Sequence, residues 1–176
     1  MGQVLHLHAS DMCRFGVESA IYPNLTAALV GQLAGHYSVS DLKDIITYAT
    51  ARGIRVVPEF DVPGHSRGFI PVESQGAVFC TDAASRSQLY GDPDNKTFTL
   101  LHAVLQEMAG LFPDPVFHLG CDETGVIGPC TLASTFSLER HLLTAVQQQF
   151  NKTPAGWEEI LFDAGAATPA TIVFAW

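Results

Sequence analysis

Asp122 and Glu123 stand side by side just past the apolar run Val116-Phe117-His118-Leu119-Gly120, separated from it only by Cys121. Two ionisable acids beside a core strand cost desolvation energy unless they are paired or used. Their types suit glycoside hydrolysis. One carboxylic acid protonates the departing oxygen, and a second carboxylate stays ionised against positive charge at the anomeric centre. An ionised Asp122 is expected to raise the pKa of Glu123, as a like charge does, and so improve it as an acid.

Other polar residues fall at the ends of strand-like segments. The first contributes His6, His8 and Asp11; the next Glu59 and Asp61, followed by Pro63-Gly64-His65; the third His118, Asp122 and Glu123; the fourth Trp157, Glu158 and Glu159; the last Trp176. Polar and aromatic groups converging on one rim of a sheet is the arrangement of a site built from βα loops. Trp157 and Trp176 could wall a sugar ring. Each residue also has a plainer role: a core histidine needs only a donor and an acceptor, Pro63-Gly64 sets a turn, Glu158-Glu159 opens a helix, and tryptophan is usually buried. A competing chemistry is metal-assisted hydrolysis. His6-x-His8 resembles the first-strand ligand pair of metal-dependent amidohydrolase barrels, with His65, His118 and Asp122 to complete a set. That reading leaves the adjacent acids unexplained and takes His6 from deep in its strand, so no metal ion or other cofactor is expected.

The elements that must position these groups alternate. Val4 to His8 is strand-like. Ser40 is the expected N-cap of a helix with Asp41 and Asp44 in its first turn, and Leu42, Ile45, Ile46 and Ala49 recur at helical spacing. Arg52 and Gly53 close that helix, and Ile54 to Asp61 follows as a strand. Leu100, Leu101, Val104, Leu105 and Met108 mark another helix; Val116 to Gly120 a strand; Leu138, Leu142, Leu143, Val146 and Phe150 a third helix. Pro154 to Trp157 and Thr171 to Trp176 read as the last strands. Strand-helix repetition implies a parallel sheet with crossover helices. Pro63 to Asn95, rich in Gly, Ser, Pro and Asp, reads as a long functional loop.

The 176 residues are 47% hydrophobic and 15% charged, which specifies a globular chain with its own core. With 18 acidic against 9 basic residues, a net charge of -9 and no Lys/Arg cluster, the composition disfavours nucleic acid as a partner, and none is expected. No apolar run reaches a membrane span, and the N-terminus has neither the basic start nor the apolar core of a signal peptide. Cys13, Cys80, Cys121 and Cys130 allow three pairings if all are bridged. Asn24, Asn95 and Asn151 each head an Asn-x-Thr sequon, which matters only in the secretory pathway. A (β/α)₈ barrel typically needs about 250 residues, so 176 cannot hold a standard one; an open doubly wound sheet would fit the length, but no Gly-rich phosphate loop follows any strand.

Several motifs in order resemble one family, the β-N-acetylhexosaminidases of glycoside hydrolase family 20. Leu5-His6-Leu7-His8-Ala9-Ser10-Asp11 is similar to its second strand and following loop; Tyr22-Pro23-Asn24 and Gly35-His36-Tyr37-Ser38 to the next loop; Arg52-Gly53-Ile54 through Pro58-Glu59-Phe60-Asp61-Val62-Pro63-Gly64-His65 to its third strand. His118-Leu119-Gly120-Cys121-Asp122-Glu123 resembles the catalytic fourth strand, Gly156-Trp157-Glu158-Glu159 the fifth, and Val173-Phe174-Ala175-Trp176 the sixth.

The resemblance implies a partial (β/α)₈ TIM barrel, strands two to six, in one incomplete catalytic domain over residues 1–176. It implies retaining, substrate-assisted removal of terminal N-acetyl-D-hexosamine from glycans or chitooligosaccharides ending in GlcNAc or GalNAc. In that scheme the substrate's 2-acetamido oxygen attacks the anomeric carbon. Asp122 would orient the acetamido group, and Glu123 would act as general acid and then base. Asp11 and His65 would form a hydrogen-bonded supporting pair, Trp176 would line the acetamido pocket, and His118 and Trp157 would support the site. Related lysosomal enzymes bridge the corresponding loops, which implies a Cys80–Cys130 disulfide and leaves Cys13 and Cys121 free or paired with each other. The parent protein would then be lysosomal or secreted, and homo- or heterodimeric. The sequence departs from the family at Cys121, where the second glycine of a Gly-Gly pair usually stands and where a thiol is expected to crowd the pocket, and at Met12, in place of a second Asp. With family strands one, seven and eight absent, the chain alone is expected to have little or no activity; an inactive sugar-binding fragment is the alternative.

Overall fold

The computed structural model describes residues 3–27, 35–80, 87–162 and 165–175. In chain order its elements are β1 (Gln3–Asp11), β2 (Arg14–Phe15), α1 (Asn24–Ala27), α2 (Val39–Thr50), β3 (Ile54–Phe60), α3 (Lys96–Leu111), β4 (Val116–His118), α4 (Leu132–Gln148), β5 (Thr153–Trp157) and β6 (Ile172–Phe174), with 3₁₀ segments at Ser66–Gln75 and Glu158–Leu161. One six-stranded sheet runs β2-β1-β3-β4-β5-β6. Five strands are parallel neighbours, and β2 folds back antiparallel on the end of β1. Parallel strands joined by helices form the expected part of a (β/α)₈ barrel, with the strands' C-terminal ends on one rim. Among the described residues the sheet is open, and no helix is long and apolar enough to cross a membrane.

Two local expectations are corrected. The N-cap of α2 is Ser38, not Ser40: the Ser38 side chain accepts from Asp41 N while Asp41 reaches back to Ser38 N. That reciprocal pair satisfies two helix-end donors at once, and so outcompetes a lone serine two residues later. The stretch from Pro63 to Asn95 is not simply loop, since Ser66–Gln75 is 3₁₀-helical. The cap of α3 is likewise indirect. Asn95 sits at φ 56 with no capping bond of its own, and Asp92 takes the Lys96 and Thr97 amides at 3.0 and 2.9 Å.

The helical spacing is there to cover the sheet. Leu100, Leu101, Val104, Leu105 and Met108 of α3 and Leu138, Leu142, Leu143 and Val146 of α4 are buried. Phe117 of β4 stacks on Phe60 of β3 at 5.7 Å, with Phe15 on its far side at 5.5 Å. Truncating Phe117 to Ala would cost about 3–5 kcal/mol through the cavity left behind. At the sheet's N-terminal end Arg55 makes a bidentate pair with Asp114 at 2.7 and 2.8 Å, and Lys152 donates to the carbonyls of Phe112 and Asp114 at 2.6 and 2.8 Å. The charges at that end tie the strand starts together, which leaves the opposite rim to carry chemistry.

Candidate active site

Glu59, the penultimate residue of β3, is buried and faces the side chains of neighbouring strands. Trp157 Nε1 on β5 donates to its Oε1 at 2.9 Å. His8 Nδ1 on β1 lies 2.8 Å from Oε2, His6 Nε2 2.8 Å from the same oxygen, and His118 Nδ1 on β4 3.4 Å from Oε1. Burial opposes ionisation, but the His118, His6 and His8 rings packed around it hold the Glu59 carboxyl well below its usual range. His8 places its other nitrogen, Nε2, 2.9 Å from Asp11 Oδ2. With a carboxylate on each side the ring is a double donor, and the Glu59 bond first of all, against burial, lifts its pKa to about 9.

One step further along the same strands the pattern repeats. Asp61 follows β3, and the Pro63-Gly64 turn brings His65 back over it, so His65 Nδ1 is 2.7 Å from Asp61 Oδ2. His65 Nε2 is 3.1 Å from Glu123 Oε2, and Asp122 Oδ2 lies 3.7 Å from Nδ1. Gly64 and Gly120 make these approaches feasible. A Cβ on Gly64 would stand 2.6 Å from Asp122 O, and one on Gly120 (φ +70) would overlap Asp61 Oδ1.

The electrostatics follow from three acids around one imidazole. Burial, then the neighbouring charge of Asp122, pushes Asp61 up to about 8. Burial also raises Asp122. Burial works against the His65 cation, but Asp61, Asp122 and Glu123 together hold its pKa above the ordinary value. The cluster therefore retains protons at neutral pH, next to Glu123, whose side chain is 59% exposed. His8, Asp11, Met12, Asp61, His65, Asp122, Glu123 and Trp157 line one cavity of about 390 Å³.

The structure thus brings Asp11, His65, Asp122, Glu123 and Trp157 together. It corrects the expected Asp11–His65 pair: Asp11 bonds His8, and His65 bonds Asp61 and Glu123. The i,i+4 turn puts Asp61 nearer the ring than a residue on β1 can come. His118 is fully buried and does not line the cavity; it accepts from Gly120 N at 3.0 Å and shapes the strand end. Cys121 does not crowd the cavity, because at φ 67 its thiol turns into the core toward Leu119 O. Trp176 lies outside the described residues. Cys80 and Cys130 form a disulfide with a Cα–Cα distance of 5.5 Å; Cys13 and Cys121 are in no disulfide. Asn24, Asn95 and Asn151 are all exposed. The metal set drawn from the sequence is split. Among the described residues, donor atoms gather as His6, Glu59 and His118 in one place and as Asp61, His65 and Asp122 in another. The Nδ1 lone pair of His118 is already used by Gly120 N–H.

The pattern of the glycosyl hydrolase family 20 catalytic domain matches residues 3–176. The chain belongs to glycosyl hydrolase family 20. This family 20 chain is 30% identical over 190 residues to β-hexosaminidase subunit A1 of Dictyostelium discoideum, covering 98% of this chain and 35% of that protein. It is 28% identical over 192 residues to the β subunit of Mus musculus β-hexosaminidase, covering 98% and 36%. The solved family 20 exo-β-N-acetylglucosaminidase of Vibrio harveyi, in complex with N-acetylglucosamine, superposes with a TM-score of 0.80 at 25% identity, covering 99% of this chain and 33% of that one. The chain spans about a third of the length of the relatives it matches. Glu59 and Asp61 neighbour the candidate residues; the sequence placed both at a strand end without giving either a partner, and the spacing of Asp61 to His65 across a Pro-Gly turn was the further signal.

Proposed function

We propose that residues 1–176 form part of one catalytic domain, and that its cavity removes terminal N-acetylhexosamine from β-N-acetylhexosaminides. The observation that supports this is the meeting of Asp122 and Glu123 at one cavity, with His65 Nε2 3.1 Å from the Glu123 carboxylate. In this reading the substrate's acetamido oxygen attacks C1 as the glycosidic C–O bond breaks. Glu123 gives its proton to the departing oxygen, and buried Asp122 orients the acetamido group and balances the oxazolinium charge. Water then opens that ring as Glu123 takes a proton back, and two inversions leave the β configuration. Asp11 and His65 support the acids, Trp157 offers the sugar an apolar wall, and Trp176 would line the acetamido pocket.

The test is hydrolysis of an aryl β-N-acetylglucosaminide, with the product anomer followed by NMR. The β anomer is expected first, and Glu123→Gln is expected to slow the reaction about 10²–10⁴-fold. Undiminished turnover in Glu123→Gln, or the α anomer first, would overturn the reading. The open sheet favours slow turnover by this chain alone. It also favours a second reading, a sugar-binding piece, in which Glu123→Gln keeps its affinity for N-acetylglucosamine and wild type shows no hydrolysis. The disulfide and three exposed sequons support a secreted or lysosomal route for the whole protein. A glycan-dependent mass shift on expression in animal cells would check it, and sedimentation of the whole protein would check the homo- or heterodimer included in the same proposal.

A further inference from the structure

Two loops bring His65 and Glu123 together, and one short segment touches both. On one side, Ser66 N donates to Ser87 O at 2.7 Å and Leu89 N donates to Pro63 O at 2.8 Å, which clamps the turn that presents His65. On the other, the side chain of Gln88 reaches the loop after β4. Its Nε2 donates to Gly125 O at 3.0 Å and its Oε1 accepts from Gly125 N at 2.9 Å, so one amide engages both backbone groups of one residue. Its Nε2 also donates to Thr135 Oγ1 on α4 at 3.2 Å. Gln88 is 2% exposed, so these bonds are made away from water. A buried amide with its donors and acceptor all engaged holds one geometry, because each unmade bond would leave a desolvated group.

The disulfide cannot do this work alone. Cys80 N donates to Gln88 O at 3.0 Å, so the bridge begins beside the segment. It ends at Cys130, however, and the residues between Glu123 and Cys130 can span about 20 Å when extended. Gly125 is two residues from Glu123, and a Cβ there would meet open space, so Gln88 reads the backbone and not a side chain.

We propose that Gln88 is a positioning residue, which holds the Glu123 loop at a fixed distance from the His65 turn and so keeps the His65–Glu123 hydrogen bond made. Its catalytic meaning rests on the proposed role of Glu123; the coupling between the loops does not.

The test uses the 176-residue chain and needs no turnover. Imidazole NMR titration of His65 is recorded with and without Glu123→Gln, in wild type and in Gln88→Ala. In wild type the substitution removes a carboxylate beside His65 and moves its midpoint down. In the Gln88→Ala background that displacement is expected to shrink by at least half. The Gly125 amide is expected to exchange about tenfold faster, as a lost buried hydrogen bond allows. An equal displacement in both backgrounds would overturn the proposal. If Gln88→Ala loses its near-UV circular dichroism, Gln88→Glu is used, which keeps the length and removes the donors. If neither variant folds, Gln88 is a core residue and the positioning role is refuted. No hydrolysis by wild type, together with a Gln88-dependent coupling, would refute the proposed function and leave this inference standing.

Discussion

His65 Nε2 lies 3.1 Å from Glu123 Oε2. The same ring gives Nδ1 to Asp61 at 2.7 Å, so its plane is set from the opposite side. Glu123, with a 59% exposed side chain, depends on that ring for its orientation. His65→Phe keeps a planar ring but removes both bonds. Turnover of an aryl β-N-acetylglucosaminide is expected to fall about 10²-fold, as misplacing a catalytic group by about 1 Å does. The fall should be in kcat with KM little changed, and an equal rise in KM would instead mean that His65 grips the sugar.

Stability should peak in mild acid. His8, lifted to about 9, contributes stability that is complete below its ordinary 6.5 and is lost as pH rises through about 9. Asp61 acts in the same direction. It holds a proton up to about 8 while the unfolded chain releases it near 3.8, so stability falls between those values. Glu59 and Asp11 have the opposite sign: both are held below their usual values, so their contribution is present above 4.5 and 3.8 and is lost as pH drops. Urea midpoints should therefore be highest near pH 4.5 and fall from there toward pH 9, more steeply above 6.5. A rise in midpoint from pH 6 to 9 would contradict these assignments.

Gly120 is where the strand meets the acids. At φ +70, Gly120 gives its N–H to His118 and its carbonyl to Trp157 N, and its Cα abuts Asp61. Gly120→Ala places an L residue in the left-handed region at about 1–2 kcal/mol, and the overlap with Asp61 adds to that. Gly110, in α3, meets nothing within 4 Å, so Gly110→Ala should instead stabilise by about 0.5–1 kcal/mol. Urea unfolding of both variants at constant m value would check the opposite signs.

The strands and helices were legible because burial imposes a period. Leu100 to Met108 repeat as a covering helix must, and Val56, Val57, Pro58 and Phe60 are the apolar, buried residues of a strand with both faces covered. Asp122 and Glu123 were legible because charge beside an apolar run is expensive. Partner choice was not. Asp11 and Asp61 both end strands at the cavity, and which of them bonds His65 depends on where the Pro63-Gly64 turn places the ring. The inward turn of Cys121 follows from a positive φ that Gly-Cys-Asp does not announce. Gln88 gave no signal, since its partners are the backbone of a residue 37 positions away and a hydroxyl 47 positions away.

The disulfide and the two remaining thiols give the last test. Cys80 and Cys130 are 50 residues apart, and closing a loop of that length removes about 4 kcal/mol of unfolded-state freedom. Reduction, or Cys130→Ser, should lower the unfolding free energy by about 2–5 kcal/mol. Cys13 is exposed and Cys121 is buried. A maleimide should therefore label one thiol in the native protein, and two after denaturation without reductant. Labelling of Cys121 under native conditions would mean that the loop carrying Asp122 and Glu123 opens to solvent. The cavity would then lose the rigidity on which the His65–Glu123 contact depends.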